Sequence, residues 1–130
     1  MALNAYLKLK GTTQGDVKGS VTQAGREDSI MVIAVEHRIT SPRDPASGLP
    51  TGKRQHKPLI ITKEVDKSSP ILYAILTNNE NIDEMSIEFW QPSPTGKEVQ
   101  HYKIELTNAL IGEIRLEMLN NKYPENMQHK

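Results

Sequence analysis

Apolar and polar residues alternate along much of the chain, which is typical of strands with one solvated face. The first such stretch covers residues 3–9, and glycines interrupt it with predicted turns between Gly11 and Gly19. A second long strand is predicted within residues 28–39, and its first half is apolar on both faces. The second half continues on one face only, through Val35, His37 and Ile39.

The C-terminal half repeats this alternation. Strands are predicted over 82–91, from about 98 to 108, and over 110–118, and a turn at 92–97 joins the first two. One face of the first strand carries Met85, Ile87 and Phe89, and the inward residues of the return strand are Tyr102, Ile104 and Leu106. The last strand alternates on Leu110, Gly112, Ile114, Leu116 and Met118. Residues 120–130 are polar and predict a loop or a flexible tail.

The central stretch, residues 56–79, contains the one helical pattern. Its first part predicts a buried strand, built from Leu59, Ile60, Ile61 and Val65. Ser69 before Pro70 predicts the helix start, with Ser69 as the capping residue and Pro70 at the first helical position. The apolar stripe that follows consists of Ile71, Leu72, Ala74, Ile75 and Leu76, and the helix is expected to stop at Asn78 and Asn79. One helix flanking several strands predicts a mainly β fold, as a small barrel or a sandwich.

Composition limits the possible classes. The chain has 130 residues, which suits a single domain, and 16 basic residues balance 16 acidic ones, so no global charge attracts nucleic acid. The sequence has no cysteine, which excludes disulfides and thiolate metal sites. No apolar run has the ~20 residues of a membrane helix. The N-terminus lacks a signal-peptide pattern, so we expect any export to use a route other than general secretion.

The sequence predicts no catalytic or metal-binding residue. The four histidines, His37, His56, His101 and His129, have no metal-ligand spacing. The segment Gly48–Arg54 differs from a phosphate-binding loop in its glycine spacing and in carrying Arg54 where Ser or Thr is needed. No serine lies in a nucleophile elbow, and we expect no cofactor.

Local charge is more informative than the total. Residues 38–57 contain five basic side chains against Asp44 alone, whereas residues 80–125 contain nine acidic side chains against four basic ones. The basic region includes a predicted extended loop, 41–54, which has three prolines and two glycines. Two interpretations stay open: an ordinary mixed surface, or a head-to-tail contact between copies. For the second we single out Arg43, Asp44, Lys53 and Arg54 as a stacking loop.

Several segments, taken in order, resemble a known family. They are residues 47–58 (SGLPTGKRQHKP), 62–70 (TKEVDKSSP) with the helix that follows, 85–90 (MSIEFW) and 96–98 (GKE), together with the opening strand and the Gly11–Gly19 region. In this order and spacing they resemble the haemolysin co-regulated proteins (Hcp) of type VI secretion, over nearly the whole chain. The resemblance implies a small antiparallel β-barrel with one flanking helix, as a single domain over 1–130. It also implies that this chain lacks the last strand of the family.

The function implied by the resemblance is structural rather than enzymatic. The resemblance implies a homohexameric ring that stacks into the inner tube of the type VI apparatus. Such a ring contacts a spike protein, a sheath and effector proteins. Such a protein is assembled in the bacterial cytoplasm and then secreted, with no membrane insertion. One alternative is a monomeric β-barrel module that binds a peptide or effector. A hydrolase that uses scattered carboxylates or histidines is a third, without positive support.

Overall fold

A computed structural model describes residues 4–118 and Lys122, and β-strands dominate this part of the chain. Eight strands and one helix are distributed along it. In chain order they are β1 Asn4–Gly11, β2 Gly15–Val17, β3 Ile30–Glu36, β4 Ile39–Thr40, β5 Gln55–His56, β6 Ile60–Lys63, α1 Ser69–Thr77, β7 Ile82–Pro92 and β8 Glu98–Ala109.

One large antiparallel sheet contains six of the strands. Its order is β6-β3-β1-β7-β8, and β2 pairs with the end of β1 through Leu9 and Val17. The two short strands β4 and β5 pair separately. Within the described residues, β6 and β8 are the outer strands of the large sheet. The prediction of a mainly β, antiparallel fold with one helix is therefore confirmed, and the described sheet is open.

The core lies between the sheet and α1. Ala5, Leu7 and Leu9 point to this side from β1, and Ile75 of α1 is 1% exposed there. The same alternation on β7 buries Met85 and Ile87, as the sequence predicted. Sheet and helix are thus held together mainly by aliphatic burial, which is worth about 25 cal/mol per Å² of apolar surface.

Both outer strands are more exposed than predicted. The expected buried strand around residues 59–65 is the outer strand β6, where Ile60 is 52% exposed, and Val65 beyond its end is 69% exposed. On β8, Tyr102 and Leu106 point to the core side but are 61% and 37% exposed. An outer strand has a neighbour on one side only, and the nine residues of α1 are too short to cover the whole sheet.

Residues 110–118 form no strand in the described structure, so that prediction was wrong. Alternation favours a strand, but a strand also needs a neighbour with free hydrogen-bonding groups, and this segment pairs with none of the eight strands. The predicted flexible tail, 120–130, falls outside the described residues apart from Lys122.

The predicted strand within 28–39 is interrupted. β3 ends at Glu36, and its pairing with β6 shifts between Val32 and Ala34, which is the mark of a bulge. His37 lies in neither strand, and Ile39 belongs to the short strand β4. The turns predicted between Gly11 and Gly19 also contain a strand that the sequence did not indicate, β2.

The helix begins at Ser69, but the capping residue is Ser68, and Pro70 is therefore the second helical residue. The Ser69 hydroxyl accepts the backbone N–H of Asp66 at 3.1 Å instead of an N–H of the helix. The predicted stop is confirmed, because α1 ends at Thr77 and Asn79 has a left-handed φ of 50°.

Candidate functional site

The extended loop projects from the two-stranded ladder of β4 and β5. Ile39 pairs with His56 and Thr40 with Gln55, and further out Arg43 and Pro50 form an isolated bridge. These pairs hold both limbs of the loop side by side, so residues 41–54 form a structured projection. Its side chains are largely exposed, including Leu49 at 65%.

Asp44 organises the tip of this loop. Its carboxylate accepts the Ala46 N–H at 3.1 Å and the Ser47 hydroxyl at 2.9 Å, and its backbone pairs with Leu49 and Gly48. The hydrogen bonds from Ala46 and Ser47 lower the pKa of Asp44. The Asp44 carboxylate is thus hydrogen-bonded within the loop.

The basic residues of the loop lie on both of its limbs. Arg43 Nη1 donates to the Gly48 carbonyl at 3.2 Å, on the limb that leaves β4. On the returning limb, Arg54 Nε donates to His56 Nε2 at 3.1 Å, and Lys53 borders the same surface depression. The loop therefore carries cationic groups, with its one carboxylate already hydrogen-bonded.

The sheet register places this loop at one end of the sheet. Ala5, near the start of β1, pairs with Val32, and β3 continues beyond it to Glu36, so the loop lies past the beginning of β1. The other end of β1 is marked by Gly11, which pairs with Ile82. The residues at that opposite end include Asp16, Asp83 and Glu84, with Lys10 as their basic neighbour. The loop end of the sheet therefore has an excess of basic side chains, and the opposite end carries three carboxylates around Lys10.

Most of the acidic residues counted over 80–125 are used inside the molecule. Glu80 accepts the N–H groups of Thr13 and Gln14 at 3.1 and 3.0 Å. Four others form ion pairs: Glu88 with Lys8, Glu98 with Arg26, Glu105 with Lys103, and Glu117 with Arg115. Among the described residues of that count, this leaves Asp83 and Glu84 at the start of β7 and the exposed Glu113 after β8. Hydrogen bonds from Thr12 and Asn81 lower the pKa of Asp83, so it is ionised at neutral pH.

The residues before α1 form a polar network with a structural role. Lys63 Nζ donates to the Glu64 carbonyl at 2.7 Å, to Asp66 Oδ1 at 3.0 Å and to Ser69 Oγ at 3.0 Å. A serine next to a lysine can form a nucleophile–base pair. Here the lysine donates to three acceptors, and the arrangement therefore fastens β6 to the helix start.

The described residues contain no candidate metal site. Among them, no group of three or more His, Asp or Glu side chains is placed to hold a metal ion. Of the four histidines, His129 lies outside the described part of the chain. Among the described residues, no helix has the length and apolar character that a bilayer crossing requires.

Fold and site together define a class: a mainly β protein with an antiparallel sheet, one short helix and oppositely charged sheet ends. The chain belongs to the Hcp family, because the family model described as "Type VI secretion system effector, Hcp" matches residues 6–129. The resemblance noted from sequence is thereby confirmed. The Hcp family belongs to the type VI secretion system.

Curated and solved relatives agree with this assignment. The "Major exported protein" of Pseudomonas aeruginosa is 40% identical over 135 residues, which cover 97% of this chain and 78% of the relative. A solved Hcp protein is 32% identical with a TM-score of 0.88, over 98% of this chain and 81% of that one. The Hcp1 protein of the E. coli EAEC 042 pathovar is 35% identical with a TM-score of 0.84, over 93% and 80% of the two chains.

Two features of the site were not found from sequence. Asp16 was not singled out, since it belongs to the strand that was predicted as a turn. The sequence also does not indicate the role of Arg26, which is only 7% exposed and contacts residues of three strands. An arginine in a glycine-containing loop gives no sequence signal of burial.

Proposed function

We propose that this chain is a structural subunit of the type VI secretion inner tube, forming hexameric rings that stack and carry effectors. The observation that carries the proposal is the placement of opposite charges at the two ends of one sheet. A surface that complements a different surface of the same molecule makes head-to-tail contacts, and these propagate into filaments. Membership of the Hcp family supports the same function.

In the proposed stack, the basic loop of one ring meets the acidic end of the next. Arg43, Lys53 and Arg54 supply the cations, and Asp44 keeps the loop in shape. Asp83 and Glu84 supply the opposing charge. A single exposed ion pair contributes less than ~1 kcal/mol. Repetition around a ring multiplies the contact and makes stacking sensitive to salt.

The remaining parts of the proposal follow the family. We assign the chain to one domain over 1–130, whose sheet closes into a barrel when the outer strands obtain neighbours. The rings carry effector proteins and meet a capping spike and a sheath. Export occurs through the type VI apparatus to the extracellular space or a target cell. No bond-making step is assigned to the protein.

Negative-stain electron microscopy of the purified protein tests this function. The proposal predicts annular particles at moderate protein concentration and end-to-end stacks of them at high concentration and low salt. Isolated small particles under all conditions would contradict it. They would favour the alternative, a monomeric module that binds a peptide or effector.

A further inference from the structure

The side chain of Arg26 fills a cage on the side of the sheet opposite the helix. Its guanidinium carbon lies no more than 5.0 Å from the ring centroids of both Tyr6 and Trp90, and the two rings meet at 87°. The Glu98 carboxylate and the Tyr6 hydroxyl accept its hydrogen bonds. Aromatic faces and a carboxylate are the groups that recognise a guanidinium in proteins.

Arg26 uses this cage incompletely. A single nitrogen, Nη1, donates to both the Tyr6 hydroxyl and the Glu98 carboxylate. Nε is buried and has no hydrogen-bond partner among the described residues, which is unfavourable for a polar group. A guanidinium that is not attached to this loop is free to turn and to present two parallel N–H groups to the carboxylate. The cage therefore has the chemistry to hold a guanidinium from another chain.

Arg26 belongs to a loop, residues 18–29, whose two ends are hydrogen-bonded to each other. The Gly19 N–H donates to the Asp28 carbonyl at 2.8 Å, and the Asp28 N–H donates to the Val21 carbonyl at 3.0 Å. These bonds lie within the loop. The loop therefore keeps its shape without the help of the sheet, and it is built to move as one unit.

The polar attachments of this loop to the rest of the chain are few. Among the described residues, its side chains reach beyond the loop through the hydrogen bonds and ion pair of Arg26 and through an ion pair of Asp28 with Lys67. The second pair is 3.8 Å long and exposed, so it contributes little. Val21, which is buried, adds apolar contact. Arg26 is thus the main polar fastening.

We propose that Tyr6, Trp90 and Glu98 form a binding site for an arginine side chain of a partner protein, and that the loop plugs this site with its own Arg26. The loop opens as a unit, and the incoming guanidinium then takes the place of Arg26. The side chain of Glu98 is 39% exposed, so the carboxylate is accessible from solvent even while the plug is in place. The site requires neither the stacking loop nor an assembled ring.

Thiol labelling measures the opening, since the natural chain contains no cysteine. Val21→Cys reports on the loop. The matched control is Val32→Cys in β3, because the two valines are 7% and 6% exposed. We expect Val21→Cys to react at least tenfold faster, since a loop opens more often than a central strand of the sheet. Equal rates would overturn the plug.

Methylguanidinium chloride is the probe for the site. It binds the open form, so at millimolar concentration it should accelerate the labelling of Val21→Cys at least threefold and leave Val32→Cys unchanged. Methylammonium chloride at the same concentration should have a much smaller effect, because an ammonium lacks the planar fork. Absence of acceleration, or equal acceleration by the two salts, would overturn the guanidinium site.

Arg26→Ala removes the plug and allows direct binding to be measured. The chain has a single tryptophan, Trp90, whose fluorescence should report saturable binding of methylguanidinium to this variant. A second substitution, Glu98→Gln, should weaken the binding at least tenfold. A folded Arg26→Ala chain that does not respond would overturn the proposal. If this variant does not fold, the labelling experiment decides alone.

Discussion

The guanidinium carbon of Arg26 lies 4.3 Å from the centroid of the Trp90 ring. The same group lies 5.0 Å from the Tyr6 ring, donates to the Tyr6 hydroxyl at 3.3 Å and pairs with the Glu98 carboxylate. Tyr6 and Trp90 meet edge to face. One arginine thereby connects the loop before β3 to β1, β7 and β8, on the side of the sheet opposite the helix.

Replacing this arginine should weaken the whole sheet. We expect Arg26→Ala to lower the free energy of unfolding by about 2–4 kcal/mol, since the buried guanidinium loses two cation–π contacts and its ion pair with the more exposed Glu98. Arg26→Lys should restore only part of it, because an ammonium lacks the planar fork and stacking face. Urea denaturation measures the change. The control is Arg38→Ala, whose side chain is 66% exposed, and a similar loss in the control would refute the assignment.

Gly11 has no room for a side chain. A methyl group there would overlap the Glu80 carboxylate, which accepts the N–H groups of Thr13 and Gln14. We expect Gly11→Ala to lower the free energy of unfolding by about 1–3 kcal/mol. The space around Gly52 is open. Gly52→Ala should therefore change the free energy of unfolding by less than about 0.5 kcal/mol. Thermal unfolding of the two variants provides the comparison. Equal melting temperatures for Gly11→Ala and Gly52→Ala would contradict the steric role of Gly11.

Asp66 gives a pH-dependent contribution to stability. Burial raises the pKa of its carboxyl, but hydrogen bonds from Ser68 and Lys63 outweigh burial, and the pKa lies below its ordinary value of 3.8. A carboxyl with a lowered folded pKa stabilises above the unfolded pKa and loses that contribution as pH falls through the folded pKa. The stabilisation by Asp66 is therefore complete at neutral pH. It is lost in acid, as the pH falls below the ordinary carboxyl pKa of 3.8.

The variant Asp66→Asn isolates this effect. At pH 7 we expect it to unfold about 2–3 kcal/mol more easily than the natural chain, because Lys63 loses its partner in a largely buried position. Denaturation at a series of pH values should show a constant difference above pH about 5 that shrinks in acid. A difference that stays the same down to pH 2 would rule out the carboxylate as its source.

The fold could be predicted where the signal is local. β1, β7 and the turn at 92–97 follow from alternation and turn residues, and Gly96, with a φ of 86°, lies in the turn as expected. The exposure of Ile60 and Tyr102 could not be predicted, because it depends on which strands lie outermost in the sheet. For the same reason residues 110–118 were predicted as a strand although the described structure offers no neighbour.

The sequence indicates where basic residues concentrate along the chain, but not where they lie relative to the acidic ones in the fold. The excess of basic residues over 38–57 pointed to the loop without any knowledge of the sheet. The acidic surface could not be located, since ion pairs such as Glu105 with Lys103 remove carboxylates that a simple count includes. That the two charges lie at opposite ends of the sheet follows only from the register of β1 with β3 and β7.

Charge reversal in the loop separates stacking from ring formation. Lys53→Glu with Arg54→Glu should weaken tubes and leave rings intact, because in the proposed stack the two side chains contact another ring rather than a neighbour in the same one. Electron microscopy and sedimentation at low and high salt measure this. The matched control reverses Lys18 and Lys67, which are not in the loop, and should keep its tubes. Unchanged tubes in the loop variant would refute the stacking contact.

The central claim is that this chain works by joining copies of itself, and its molar mass in solution tests that claim most directly. Size-exclusion chromatography with light scattering should give six chains of 14.6 kDa, about 88 kDa, at micromolar concentration. A constant mass of 14.6 kDa across the accessible concentration range would contradict it.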